Sequence, residues 1–458
     1  MRRLLPVGLL LLGLAPAAAH AAPFPVGTGQ NGGIAVDDGG TTYVGWQINT
    51  YEPGDAVQFC VLPPRTRQCA APVTIPFPGK GYNRSRVSVL LPAPNTVDVL
   101  VPRTDVANDA YTFLARSTDG GRTFAPPVQI AAEPFAAGVQ GPGGRVVLVD
   151  GPTTLNAGLF SPSGADAGAV GSELGPFLEG VFNDAASAGE EVLAAGSDAG
   201  RAHAFRLPAG GNPNDPAAWQ QIDPARGRQP QLAGVPSGFA AMLEPIPNFA
   251  QLFTQRLEGA AWSPPIGIAP AVSNVDFRLL GNGKGRLAAL ITYSGYRLDY
   301  ATSTDGGVLW SSLVTVARYS EYPTALEAAM GADGRGAAVV DFSLDDKSVR
   351  VTRFSARSAR VARRRFGGAR VQVRSVCDGD ELSLVVEAAR GNRRVGPGTV
   401  LRRASFGRVR GTRPLFRGRY RARYDLRRRN VRIPVRVTPR RGKARTLRLR
   451  VRRCGAAP

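Results

Sequence analysis

Tyr293, Tyr296, Arg297, Asp299 and Tyr300 fall within eight residues and combine side chains that can handle a sugar without a metal. A phenol beside a carboxylate can form a nucleophilic pair, and an arginine fork can hold a substrate carboxylate. Retaining glycoside hydrolysis needs two such groups about 5 Å apart, which spacing along a chain does not establish. The competing reading of this run is strand and turn packing. Histidine chemistry is almost closed to the chain. It has 2 histidines, and His20 lies in the leader described below, so His203 alone belongs to the mature protein. That rules out a multi-histidine metal centre. A Ser-His-Asp triad at His203 would lack the Gly-x-Ser-x-Gly elbow, and an ordinary surface or core histidine is the simpler reading. Asp378-Gly379-Asp380-Glu381 offers carboxylates to calcium but not the twelve-residue EF-hand loop, so it reads as a turn beside Cys377. No metal site and no cofactor are expected.

The chain begins with a targeting pattern. Arg2 and Arg3 precede the apolar run Leu4 to Leu14, and Ala19-His20-Ala21 offers a small-residue cleavage site. Residues 1–21 are read as a signal peptide, so the protein is expected to be secreted or held at the cell envelope. No second apolar run is long enough to span a bilayer. Export fits the four cysteines, Cys60, Cys69, Cys377 and Cys454. Of three possible pairings, sequence proximity favours Cys60–Cys69 and Cys377–Cys454. A zinc site is the weaker reading, because no CxxC spacing is present.

Seven apolar-turn-apolar units must position whatever chemistry there is. Their first turns are Asp37–Gly40, Pro94-Asn95, Gly141–Gly144, Ala188–Glu190, Pro236–Gly238, Gly281–Lys284 and Gly331–Gly334. They recur about every 45–55 residues, the length of one four-stranded propeller blade. A run of small apolar residues follows each turn, as in Leu287-Ala288-Ala289-Leu290-Ile291, and suits a strand buried on both faces. The seventh unit supplies three strands only. Pro23-Phe24-Pro25-Val26 resembles the missing fourth, so the N-terminus is expected to complete the last blade. A six-bladed ring with a spare unit is the alternative.

Two motifs sharpen the reading. Ser117-Thr118-Asp119-Gly120-Gly121-Arg122-Thr123-Phe124 and Ser303-Thr304-Asp305-Gly306-Gly307-Val308-Leu309-Trp310 both fit Ser-x-Asp-x-Gly-x-x-aromatic. Ser and Asp can bond backbone N–H groups of the turn, Gly121 and Gly307 allow positive φ, and Phe124 or Trp310 can pack beneath. This motif resembles the Asp-box of sialidase-type (BNR-repeat) β-propellers. The resemblance covers about residues 23–355 and implies an all-β propeller, with the motif structural and remote from the active site. Catalytic members carry three arginines for the substrate carboxylate, one of them in a Phe/Tyr-Arg-Ile-Pro motif, with a Tyr–Glu pair and an acidic Asp. The one match to that motif, Val431-Arg432-Ile433-Pro434, falls in the C-terminal region and reads as coincidence, so the catalytic set does not carry over.

Composition changes near residue 356. From Arg357 to Pro458, 32 Lys and Arg face 5 Asp and Glu, a net of +27, which leaves the preceding residues at −5 of the whole chain's +22. The tail alternates in the manner of half-buried strands: Val431, Ile433, Val435 and Val437 oppose Arg432 and Arg436, and Leu447, Leu449 and Val451 oppose Arg448, Arg450 and Arg452. In pattern it resembles a small immunoglobulin-like sandwich. The organisation expected is a signal peptide over 1–21, a propeller over 22–355 and an Arg-rich β-sandwich over 356–458. The function expected is non-catalytic recognition of extracellular carbohydrate or wall polymer, with an exo-sialidase-type hydrolase as the alternative. The basic face suits an anionic wall polymer. Export argues against nucleic acid, and the oligomeric state is open. With 53 of 57 basic residues being Arg, coding bias alone is the bland explanation of the tail.

Overall fold

The computed structural model describes residues 23–452, except 49–55, 82–85, 105–109, 132–134, 141–145, 151–153, 161–171, 177–183, 198–200, 213–214, 225–226, 246–251, 270–275, 294–296, 322, 343–347, 357–361, 379–380, 392, 407–419 and 425–429. The expected leader and Cys454 therefore lie outside the described residues, and with them the expected Cys377–Cys454 bond. The first turn at Gly141–Gly144 does too.

Among the described residues, seven antiparallel sheets of four or five strands follow one another from Phe24 to Ser355. Their innermost strands are Gln30–Val36, Ser88–Ala93, Phe135–Gln140, Asp184–Ala188, Gly227–Val235, Phe277–Gly281 and Pro323–Met330. Each lies beside the next, and Pro323–Met330 lies beside Gln30–Val36, which closes a ring. The N-terminal strand Phe24–Thr28 pairs with Ser348–Ser355 and supplies the fourth strand of the last sheet. Closure of this kind leaves the first and last sheets without a long free edge.

The second strands explain the small apolar runs. Leu287, Ala289 and Ile291 pack toward the preceding sheet, and Ala288 and Leu290 toward the following one. The backbones of neighbouring sheets approach closely near the axis. A Cβ on Gly234 would meet Ser187 O at 1.9 Å, and one on Gly281 would meet Gly234 O at 2.5 Å. In the first sheet Cys60, on the third strand, is bonded to Cys69 in the loop before Val73–Pro76.

Two further sheets form a C-terminal sandwich. One holds Ala362–Phe366, Ala369–Asp378, Glu381–Arg390, Arg393–Val395 and Tyr420–Tyr424; the other holds Leu401–Phe406, Asn430–Pro439 and Arg445–Arg452. Val371, Val373, Leu384 and Val386 meet Ile433, Val435, Val437, Leu447 and Leu449 in a closed core. The alternation of apolar and basic residues thus becomes an inside and an outside. The backbones of Asp378 and Glu381 pair across neighbouring strands, and residues 379–380 between them lie outside the described residues.

Candidate functional site

The two ends of the ring differ. The Ser117 and Ser303 turns lie at the end that holds the turns joining first to second strands, because Gly120 N donates to Asn95 O and Gly306 N to Gly285 O. Both are built alike. Ser117 Oγ accepts from Gly121 N at 2.8 Å and Asp119 Oδ1 accepts from Arg122 N and Thr123 N. Ser303 Oγ accepts from Gly307 N at 2.9 Å and Asp305 Oδ1 accepts from Leu309 N. Phe124 stacks edge-on against Phe59, and Trp310 is wholly buried. These hydrogen bonds, Thr123 first, hold the Asp119 carboxyl well below the usual range. In both turns the Ser hydroxyl and one Asp oxygen are spent on the turn's own backbone.

Charge gathers at the opposite end, where the innermost strands begin. Arg86 precedes the second sheet's inner strand, Asp276 and Arg278 flank the start of the sixth, and Glu327 and Asp341 belong to the seventh. Arg86 Nη1 reaches Glu327 Oε1 at 2.5 Å and Arg86 Nη2 reaches Asp276 Oδ2 at 3.1 Å. Arg278 repeats the clamp, with Nη1 2.8 Å from Asp276 Oδ1 and Nη2 2.9 Å from Glu327 Oε1. Two guanidinium groups therefore hold two carboxylates from different sheets. The four remain open to the ring's axis: Arg86, Asp276 and Glu327 expose 26%, 29% and 27% of their side chains, and Arg278 14%.

The acids also pin the ring together. Asp276 Oδ2 accepts from Leu326 N, Asp341 Oδ2 from Gly32 N and Asp184 Oδ2 from Leu232 N, each on a neighbouring sheet. An inner strand has no partner strand on its axial side, so these carboxylates satisfy N–H groups that would otherwise need water. Enclosure shifts their protonation. Burial pushes Asp184 up to about 7 and Asp341 up to about 6, and it also raises Asp276 and Glu327 against the pull of Arg86. Burial alone would lower Arg86, but Asp276 and Glu327 outweigh it and keep it charged.

Backbone strain adjoins this cluster. Asn31 has φ 56° and Gln229 has φ 52°, each near the start of an inner strand. Both sit at register shifts, between Gln30 and Gly33 and between Arg228 and Gln231. Bulges at such places re-aim side chains. Asn31 Nδ2 donates to Gln47 Oε1, and Arg228 Nε to Glu244 Oε2. The axial end thus presents guanidinium, amide and carboxyl groups in close mixture. Such a mixture donates to and accepts from hydroxyls, and among the described residues Arg86 and Arg278 are already held by Asp276 and Glu327.

The Tyr293–Tyr300 run divides. Strand Leu287–Tyr293 ends at the axial end of the sixth sheet and Arg297–Ser303 starts there. Tyr296 lies outside the described residues. Tyr300 is buried between the sixth and seventh sheets and tilts against Phe354, 6.1 Å between centroids. Asp299 is buried and paired with Arg297 at 2.9 Å. Tyr300 and Asp299 thus serve packing and pairing within the sheet and do not join Arg86 and Glu327. His203 Nδ1 lies 3.4 Å from Asp223 Oδ2 on the fourth sheet. Arg432 lies in the sandwich, on the strand whose Ile433 fills that core, so the Arg-Ile-Pro match is remote from the axis. Sequence reasoning missed Arg86, Asp184, Asp276, Arg278, Glu327 and Asp341. Asp184 and Asp276 each stand where an otherwise apolar inner strand begins, and that recurrence was the signal available.

A concavity of about 600 Å³ opens at the turn end between the fourth and fifth sheets, away from the charged cluster. Arg206 crosses it to Glu191 at 2.5 Å and to Gly259 O at 3.1 Å.

No family model matches the sequence, and no curated protein matches it. Solved structures do. The chain is similar to the BP39L lectin from Burkholderia pseudomallei at 14% identity and a TM-score of 0.53, over 72% of this chain and 96% of that one. It is also similar to the Hadza microbial sialidase Hz136 at 14% identity and a TM-score of 0.42, over 73% of this chain and 66% of that one. A PL25 ulvan lyase aligns at 12% identity and a TM-score of 0.44, over 73% and 92% of the two chains. The lectin likeness shows a β-propeller fold and not a particular propeller family. Among the described residues no helix is long and apolar enough to cross a membrane.

Proposed function

We propose that the protein is a secreted or envelope-bound propeller that recognises extracellular carbohydrate at the axial end of its ring, without catalysis. The observation that carries this is the clamp of Arg86 and Arg278 on Asp276 and Glu327, partly open to the axis. Its arginines are neutralised by their own carboxylates, which suits neutral hydroxyls better than a sialoside carboxylate. The similarity to a lectin agrees, as does a disulfide, which suits an oxidising compartment. One observation favours the alternative, an exo-sialidase-type hydrolase: Tyr293 and Arg297 lie at the same end as the carboxylates.

A glycan array with the mature protein, run beside a fluorogenic sialoside, tests both. Binding to neutral glycans without turnover, weakened at least about tenfold in Glu327→Gln, is the expected result. Turnover of the sialoside would overturn the non-catalytic reading. Binding unchanged in Glu327→Gln would move the site off the axis.

A further inference from the structure

The two sheets of the sandwich engage their arginines differently. The sheet of strands 369–378 and 381–390 faces the propeller, where Arg363, Arg370, Arg374 and Arg394 find partners, while its Arg364, Arg365, Arg390 and Arg393 are exposed. Arg370 pairs with Asp305 at 3.2 Å and Arg363 donates to Thr304 Oγ1 at 3.0 Å. Arg374 and Arg394 both bind Glu387 at 3.0 Å, and Arg374 Nη2 also donates to Gly267 O at 2.7 Å. Gln372 Nε2 donates to Trp310 O, and Ala389 packs on Val308 and Leu309. The Ser303 turn is therefore the seat on which the sandwich is fixed.

The outer sheet lies beyond this, with the sandwich core between it and the propeller. Its strands 401–406, 430–439 and 445–452 contain eight arginines and no acid. Inward Ile433, Val435, Val437, Leu447 and Leu449 leave the alternate positions to the far face. Arg432 stands directly opposite Arg450, Pro434 opposite Arg448, and Asn430 opposite Arg452. Arg436, Arg445 and Arg448 are exposed, and among the described residues no carboxylate lies within ion-pair reach of them. Arg436 stands opposite Thr446, one outward position from Arg448, and like charges placed diagonally across a sheet repel. A ligand that brings repeated negative charge relieves that repulsion.

We propose that this outer face binds a linear acidic polysaccharide, independently of the axial site. Alternate residues on a strand stand about 7 Å apart and neighbouring strands about 5 Å, so the face offers a periodic cationic ladder to an extended polyanion. Sugar carboxylates are favoured over nucleic acid, because the outward positions of 430–439 and 445–452 hold Arg, Asn, Pro and Thr but no aromatic on which bases would stack. They are favoured over a membrane because no large apolar side chain stands among them to enter the interface.

The test is retention of the mature protein on immobilised polygalacturonate, with neutral dextran, duplex DNA and phosphatidylglycerol vesicles as comparisons. The expected result is salt-sensitive binding to polygalacturonate and no salt-sensitive binding to dextran. Arg436→Gln, Arg448→Gln and Arg450→Gln together should weaken it about a hundredfold at low salt. The charge-matched control Arg67→Gln, Arg122→Gln and Arg335→Gln on the propeller should bind as the parent does, and so should Glu327→Gln, which separates this site from the axial one. An unchanged thermal midpoint checks that the triple variant is folded. Equal loss in the propeller control would overturn the proposal as a net-charge effect. Full retention by the outer-face variant, or tighter binding to DNA or vesicles than to polygalacturonate, would overturn it as well.

Discussion

Asp184 does two things at once. It ties the fourth sheet to Leu232 of the fifth, and its burial holds its own pKa near about 7. An unfolded aspartate ionises near pH ~4, so between ~4 and 7 the unfolded chain gives up a proton that the folded chain keeps. The stability contributed by neutral Asp184 is complete below pH ~4 and is lost as pH rises through about 7. Asp341, near about 6, acts in the same sense over a narrower window. Thermal midpoints of the parent and of Asp184→Asn, measured from pH 4 to 8, should diverge in favour of the variant as pH rises. Parallel curves would show that the carboxyl is ionised throughout.

Inner strands set how closely neighbouring sheets can approach. Gly234 sits where the backbone of Ser187 would leave a Cβ 1.9 Å of room, far inside contact distance. Rigid backbone on both sides allows little relief, so Gly234→Ala should cost about 3 kcal/mol in a urea titration. A loss under half a kilocalorie would mean that the two sheets slide apart freely, contrary to their shared core. At this scale the residues announced much. First turns expected at Asp37, Pro94, Ala188, Pro236, Gly281 and Gly331 all join first to second strands. Glycine and asparagine mark such turns because they accept positive φ, as Asn95 and Gly40 do here.

For the molecule as a whole, the joint between propeller and sandwich is polar at its centre. Glu387 is fully buried and accepts from Arg374, Arg394 and Gln372. Arg374 also reaches across to Gly267 of the propeller. Arg374→Met should strand part of that charge and cost about 3 kcal/mol. Calorimetry should then resolve two transitions where the parent unfolds in one. A single transition at the parent's temperature would show that the apolar contact of Ala389 with Val308 and Leu309 suffices to hold the two together.

Local pattern alone determined the all-β class, the repeating units and the two-faced strands of the tail, and it favoured the Cys60–Cys69 bond and a closing strand at Pro23–Val26. Each depends on residues near in sequence or on a period that alternation makes visible. Only the tertiary structure decided the axial cluster, because Arg86, Asp276 and Glu327 are separated by up to 241 positions and meet through ring closure. It also decided that Tyr300 packs against Phe354 and away from the axis, since a side chain's partner across two sheets has no local signature. The seating of the sandwich on the Ser303 turn was hidden for the same reason: Asp305 read as a turn-building residue, and nothing local tied it to Arg370 until the fold brings them to 3.2 Å.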